Sequence, residues 1–131
     1  MHIRIITPEK TVLEADDVEH VLLPAENGEL GVLPDHIPMV CTMQIGRIRV
    51  DLPGSSVDLA TSGGFAEVLE DRVTVLADSA ERACEIDVDR AQAARERAEE
   101  RLRKSAEEID MARAKAALAR ASNRLRIAHE S

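Results

Sequence analysis

The sequence predicts an all-β module over residues 1–84, followed by an antiparallel α-helical hairpin over residues 85–131. Three observations carry this. All 6 glycines and all 5 prolines fall within residues 8–64, which confines turn punctuation to the first part. Short runs of alternating apolar residues separate those turns. From Asp87 onward the apolar spacing becomes three and four.

In chain order, "HIRII" alternates and is closed by "TPEK". "DVEHVLLP" reads as a second strand, closed by "AENGELGVLPDHIP". "IGRIRVDL" places Ile45, Ile48 and Val50 in imperfect alternation and turns at "PGSS". "VDLATSGG", "FAEVLE" and "RVTVLAD" continue the pattern, with "ED" as a hairpin turn. Strands this short and frequent, at least seven in number, indicate a sandwich or flattened barrel.

Asp87 then stands as a helix N-cap, with Asp89 in the first turn where negative charge complements the helix dipole. Ala91, Ala94, Ala98 and Leu102 form one narrow apolar stripe. "KSAEEID" interrupts it, and Asp110 reads as a second N-cap with Ile109 before it as a staple residue. Met111, Ala114, Leu118, Ala121, Leu125 and Ala128 make the facing stripe. Seams this rich in alanine let helices approach closely but bury little, so the hairpin is expected to be marginal alone. Either it docks on something or it switches between closed and open forms.

Composition excludes several function classes. One Phe and no Trp or Tyr leave no π platform for sugars or single-stranded nucleic acid. Residues 1–84 carry 6 Lys/Arg against 15 Asp/Glu, a balance that repels nucleic acid and anionic lipid. Residues 85–131 carry 11 against 10, as expected of solvated helix faces. No apolar run approaches the ~20 residues of a membrane span, so no direct membrane insertion is expected. The start "MHIRIITPEK" lacks the apolar core of a signal peptide. Cys41 and Cys84 read as two buried or inert thiols in a reducing compartment, with a disulfide possible but not indicated. His2, His20, His36 and His129 lack metal-ligand spacing, and no glycine-rich phosphate loop or GxSxG is present. Neither catalysis nor a metal is expected.

Two features invite a functional reading. In "ENGELGVLPDHIP", glycines permit positive φ and prolines fix the chain around Asp35 and His36. Loop chemistry leaves an ordinary rigid loop and a preorganised contact loop both open. In the hairpin, a turn near Glu107 pairs positions so that Arg90, Arg97, Arg120 and Arg124 converge. Converging guanidiniums repel unless a carboxylate or an anion lies between them. The i,i+4 pairs Glu99–Arg103 and Glu100–Lys104 do not serve these four arginines. Solvated charge and a polyphosphate site both fit the spacing.

"GELGVLPDHIPMV", "SGGFAEVLEDRVTVLADSAE" and "IDVDRAQAARERAEERL", in this order and followed by "RASNRL", resemble the epsilon subunit of bacterial F-type ATP synthases over essentially the whole chain. The resemblance implies a β-sandwich of about ten strands with a C-terminal helical hairpin. It implies a non-catalytic rotor subunit, peripheral on the cytoplasmic face of the bacterial membrane, that couples proton flow to ATP synthesis. Its implied partners are the gamma subunit and the c-subunit ring, with Glu29 and His36 in the ring-contacting loop. An opened hairpin would meet the alpha and beta subunits and inhibit ATP hydrolysis. "IDVDRA" matches the I/L-D-x-x-R-A motif of members that bind ATP on the closed hairpin. The implied ATP-binding set is Glu81, Ile86, Asp87, Arg90, Ala91, Arg97, Arg120 and Arg124, with ATP as a regulatory ligand and no required cofactor. Asp89 is an extra acid inside that motif, which weakens binding if it points inward. Two alternatives are the same subunit with a purely mechanical hairpin, and a free-standing β-sandwich adaptor.

Overall fold

The computed structural model describes residues 1–104 and 107–130. Ten strands come first: β1 His2–Ile6, β2 Thr11–Ala15, β3 His20–Ala25, β4 Gly28–Val32, β5 Met39–Met43, β6 Gly46–Leu52, β7 Ser55–Thr61, β8 Gly64–Val68, β9 Arg72–Ala77 and β10 Ala80–Arg82. A 3-10 turn, Ala83–Glu85, leads to helices α1 (Val88–Lys104) and α2 (Glu108–Glu130). The strand order is β10-β7-β6-β3-β5-β8-β9-β1-β2, with β4 paired to β3. Every pairing is antiparallel except β1 with β9. A single pair, Ala25 with Met43, joins β3 to β5. There the sheet folds over and its two halves close as a sandwich.

The inward positions are aliphatic: Ile3, Ile5, Leu13, Val21, Leu23, Ile48, Val50, Leu59, Val68, Val73 and Val75 form one core. Period-two alternation places them there. In β6, Gly46 rather than Ile45 takes the inward place before Ile48 and Val50, which explains the imperfect alternation. The "PGSS" and "ED" turns join β6 to β7 and β8 to β9, the latter closed by Leu69 N–H to the Arg72 carbonyl at 2.8 Å.

The sequence reading passes over four strands, β2, β4, β5 and β10. The β4 strand holds two glycines and was expected as loop. It is extended because Gly28–Val32 pairs residue by residue with Ala25–Val21, and tertiary pairing overrides local turn propensity. "ENGELGVLPDHIP" is therefore half strand, and Glu29 sits on β4 rather than in a loop. The second strand starts at His20, three residues later than expected, since Asp17 turns the chain at φ 59°.

"SGG" carries the chain from β7 to β8. Gly64 has φ +136°, and a Cβ there would lie 2.2 Å from the Leu76 carbonyl oxygen. Gly64→Ala is expected to destabilise the sandwich by about 2 kcal/mol, read as a lower urea midpoint at unchanged slope.

The hairpin stripes form as expected. Ala91, Ala98, Ala114, Ala121 and Leu125 are buried, and Ala94, Leu102, Met111, Leu118 and Ala128 are half-buried. Three local expectations are corrected. The second helix begins at Glu108, so Asp110 lies within its first turn and the Glu107 carbonyl accepts the Met111 N–H at 3.0 Å. Ile109 is exposed and staples nothing. Arg103 pairs with Glu100 at 2.6 Å rather than with Glu99, which meets Arg95 at 3.7 Å, while Lys104–Glu100 forms at 2.8 Å. Residues 105–106 of the "KSAEEID" interruption lie outside the described residues. Both cysteines are free. Cys41 is half-buried, and burial raises its pKa; Cys84 is exposed on the outside of the 3-10 turn, so of the expected buried or inert thiols neither is fully buried.

Candidate functional site

The hairpin is docked. It lies against the sandwich through α2, which packs on β6, β7 and the 3-10 turn while its other face meets α1. Fully buried Ile127 joins Ala60, Ala83 and Ile86 in a second apolar cluster. Buried Asn123 donates from Nδ2 to the Gly46 carbonyl at 2.8 Å, and its Oδ1 accepts from Arg126 at 2.9 Å. Two ion pairs flank this contact, Arg124–Glu81 and Arg47–Glu130. Asn123 and Ile127 escaped the sequence reading because they lie off the 3-4 stripe. An isoleucine off the stripe was itself the available signal for a second buried face.

Asp87 caps α1. Its Oδ1 accepts the Arg90 N–H at 3.1 Å and its carbonyl accepts the Ala91 N–H at 3.0 Å. Ile86 and Ala91 are buried, which gives them packing roles. The cap sets the first turn of α1, and Arg90 follows on an exposed face. Its side chain lines an open cleft of about 600 Å³ with the Thr7–Lys10 turn, residues 78–81, Glu85 and Arg124. Asp89 is exposed and does not line this cleft.

Glu81 lies on β10, opposite Ala60 of β7. It holds Arg124 through two hydrogen bonds, Nε to Oε1 at 2.6 Å and Nη2 to Oε2 at 3.1 Å. One turn earlier on α2, Arg120 lines a second cavity of about 290 Å³ with Glu81, Arg124, Asn123 and the small side chains of Ala94, Ala117 and Ala121. Glu81, Arg90, Arg120 and Arg124 thus border two cavities that share Ser79, Glu81 and Arg124. Arg97, two turns beyond Arg90, is not with them; it borders a separate shallow depression with Ala93, Glu96 and Glu100. Among the described residues, no carboxylate lies within ion-pairing distance of Arg90 or Arg120.

The Glu81–Arg124 pair is part-exposed, so it contributes about 1 kcal/mol to docking. Glu81→Gln is expected to speed amide exchange in α2 about fivefold at 0.1 M NaCl. The effect should fade in 1 M NaCl, where screening already weakens the pair.

Two further surfaces stand apart. Glu29 is exposed on β4, and half-buried His36 donates from Nδ1 to the Ile37 carbonyl at 2.7 Å. Asp35 has φ 66°, and Leu33 and Ile37 project into solvent beside them. On the outer face of the sandwich, Ile6, Leu76 and Phe65 occupy neighbouring register positions across β1, β9 and β8. Phe65 is 57% and Leu76 55% exposed, and Val40 of β5 is exposed nearby. Exposed apolar side chains clustered in this way make the face a candidate interaction surface. No helix among the described residues is long and apolar enough to cross a membrane.

Comparison with known proteins gives a consistent family. Residues 1–83 match the family described as ATP synthase, Delta/Epsilon chain, beta-sandwich domain, and residues 85–129 its long alpha-helix domain. The chain is similar to the ATP synthase epsilon chain of Desulforamulus reducens, 50% identical over 75% of this chain and 74% of that one. It is 55% identical to the Anoxybacillus flavithermus ATP synthase epsilon chain, over 76% of this chain and 74% of the relative. The fold matches a chain in the Euglena gracilis mitochondrial ATP synthase structure (OSCP/F1/c-ring), with a TM-score of 0.81 at 24% identity, covering 92% of this chain and 76% of that one.

Proposed function

The chain belongs to the ATP synthase delta/epsilon family, and from that premise we propose that it is a non-catalytic subunit of the rotating central stalk whose hairpin is held closed by ATP. The observation that carries this reading is the seam itself. A marginal hairpin is docked chiefly through one helix, and basic groups without carboxylate partners border the cavities beside the dock. A nucleotide suits such a place, with phosphates for the cations and base and ribose donors for the carboxylates Glu9, Asp78, Glu81 and Glu85. It would bind the closed form more tightly than an open one, where Glu81 and Lys10 leave α1 and α2 behind. Linkage then shifts the population toward closed. A full shift from 1:99 to 99:1 requires ~5.5 kcal/mol of differential binding.

In this reading the open hairpin meets the alpha and beta subunits and inhibits ATP hydrolysis, so ATP relieves the inhibition. The apolar row at Ile6, Leu76 and Phe65 faces gamma. The Glu29–His36 segment, with Leu33 and Ile37 at its tip, faces the c-subunit ring. The subunit sits peripherally, on the cytoplasmic face of the membrane, within the complex that couples proton flow to synthesis. Calorimetric titration of the isolated chain with ATP tests the nucleotide part. Saturable binding that Arg90→Ala reduces more than tenfold supports it; no heat up to millimolar ATP refutes it.

The Glu81–Arg124 pair favours a second reading, in which the arginines serve carboxylates and the hairpin is a mechanical clamp. The same titration separates the two.

A further inference from the structure

Resting on the reading of the seam as an ATP site, we propose that Lys10 is a phosphate contact supplied by the sandwich, so that the bound nucleotide bridges the two domains. Three cations line the larger cleft: Lys10, Arg90 and Arg124. Arg124 is already held by Glu81 through both of its hydrogen bonds. Arg90 lines the cleft from the first turn of α1, and Lys10 lines it from the β1–β2 turn of the sandwich. Lys10 is exposed and, among the described residues, has no carboxylate within ion-pairing distance.

Its turn is stiff. Thr7 N–H donates to the Lys10 carbonyl at 2.9 Å, Thr7 Oγ1 to the same oxygen at 3.2 Å, and Lys10 N–H to Thr7 Oγ1 at 3.3 Å. A side chain rooted on a fixed backbone loses less freedom when it takes a ligand. The cleft, about 600 Å³, falls in the usual range for a small-molecule site. Its lining also includes Glu9, Asp78, Glu81 and Glu85. That mixture disfavours a bare inorganic anion and suits a nucleotide, whose phosphates take the cations while its base and ribose donate to carboxylates.

The position of Lys10 has a mechanical consequence. The dock between the domains runs through α2, and α1 is held mainly by packing on α2. A phosphate between Lys10 and Arg90 ties α1 directly to the sandwich. ATP then clamps the helix that the intrinsic contacts leave least secured.

The test is calorimetry of ATP binding to the full chain at 50 mM NaCl, with Lys10→Ala, Lys10→Arg and Arg90→Ala. Lys10→Ala should bind about tenfold more weakly, the loss expected for one charge-assisted hydrogen bond. Lys10→Arg should recover most of the affinity, and the Lys10→Ala deficit should shrink in 0.5 M NaCl. Amides of the β1–β2 turn should gain hydrogen-exchange protection when ATP binds the unsubstituted chain. Binding that Arg90→Ala weakens and Lys10→Ala leaves unchanged would overturn this assignment while leaving the ATP site standing. An equal loss in Lys10→Ala and Lys10→Arg would also overturn it. No binding by the unsubstituted chain overturns the ATP site, and this proposal with it.

Discussion

Ile127→Asp is expected to release the hairpin from the sandwich while leaving the sandwich folded. Ile127 is fully buried among the apolar side chains of Ala60, Ala83 and Ile86, where a carboxylate would be stripped of its water. Loss of the apolar side chain costs about 2–3 kcal/mol, and desolvating the charge costs several more. Opposing that are one buried amide hydrogen bond from Asn123 and two part-exposed ion pairs, each about 1 kcal/mol. The dock loses, and α2 should exchange its amides at rates set by the free hairpin. The sandwich core contains no residue of α2, so its slow amides should be unaffected. Ile127→Val, which leaves a cavity of one methylene, should cost only about 1 kcal/mol and keep the hairpin docked. Retained α2 protection in Ile127→Asp would show that docking rests elsewhere.

On the proposed placement of gamma, Phe65→Asp should strongly weaken assembly with it and leave the isolated chain's stability nearly unchanged. Phe65 is the sole aromatic residue of the chain, yet it stands outside the core, 57% exposed, beside Leu76. An aliphatic core that excludes the largest apolar side chain fits the proposal that Phe65 serves a partner. Aromatic anchors at the centre of an interface contribute about 2–4 kcal/mol each, and a buried carboxylate adds a penalty of its own. Loss of affinity by two to three orders of magnitude should follow, read by co-purification with gamma or by surface plasmon resonance. A thermal midpoint within a few degrees of the parent separates this from misfolding. Undiminished assembly would move the gamma contact away from this row.

The fold class was legible because periodicity changes once and sharply. Alternation with dense turn punctuation runs through the first 84 residues, and spacing of three and four follows Asp87. Asp87 declared itself as a cap and accepts the Arg90 N–H as expected. The strands that were missed share a physical character. β4 carries two glycines, and β10 has three residues and exists by pairing with β7. β4 is the return arm of a hairpin with β3, its alternation hidden by the glycines, whereas β10 is extended by β7, a partner distant in the chain that no local pattern encodes. The same holds for the dock. The stripe on α2 announced the seam with α1, while Asn123 and Ile127 answer to a sandwich surface that exists only after folding.

The site was legible unevenly. Hairpin geometry brought Arg120 and Arg124 to the seam with Arg90, but Arg97 lies on a different stretch of surface. Pairing by position treats α1 and α2 as free-standing. The sandwich selects which of their arginines border its cavities, and it supplies Glu81 and Lys10 from its own turns and edge.

On the proposed function, the seam is a latch closed by nucleotide. Its most direct test is hydrogen exchange of α1 and α2 in the isolated chain, with and without saturating ATP, referenced to the sandwich core. Hairpin protection should lie well below that of the core without ATP and rise at least tenfold in both helices when ATP is added. Hairpin protection equal to the core without nucleotide, or ATP binding that leaves the helices unchanged, would contradict it.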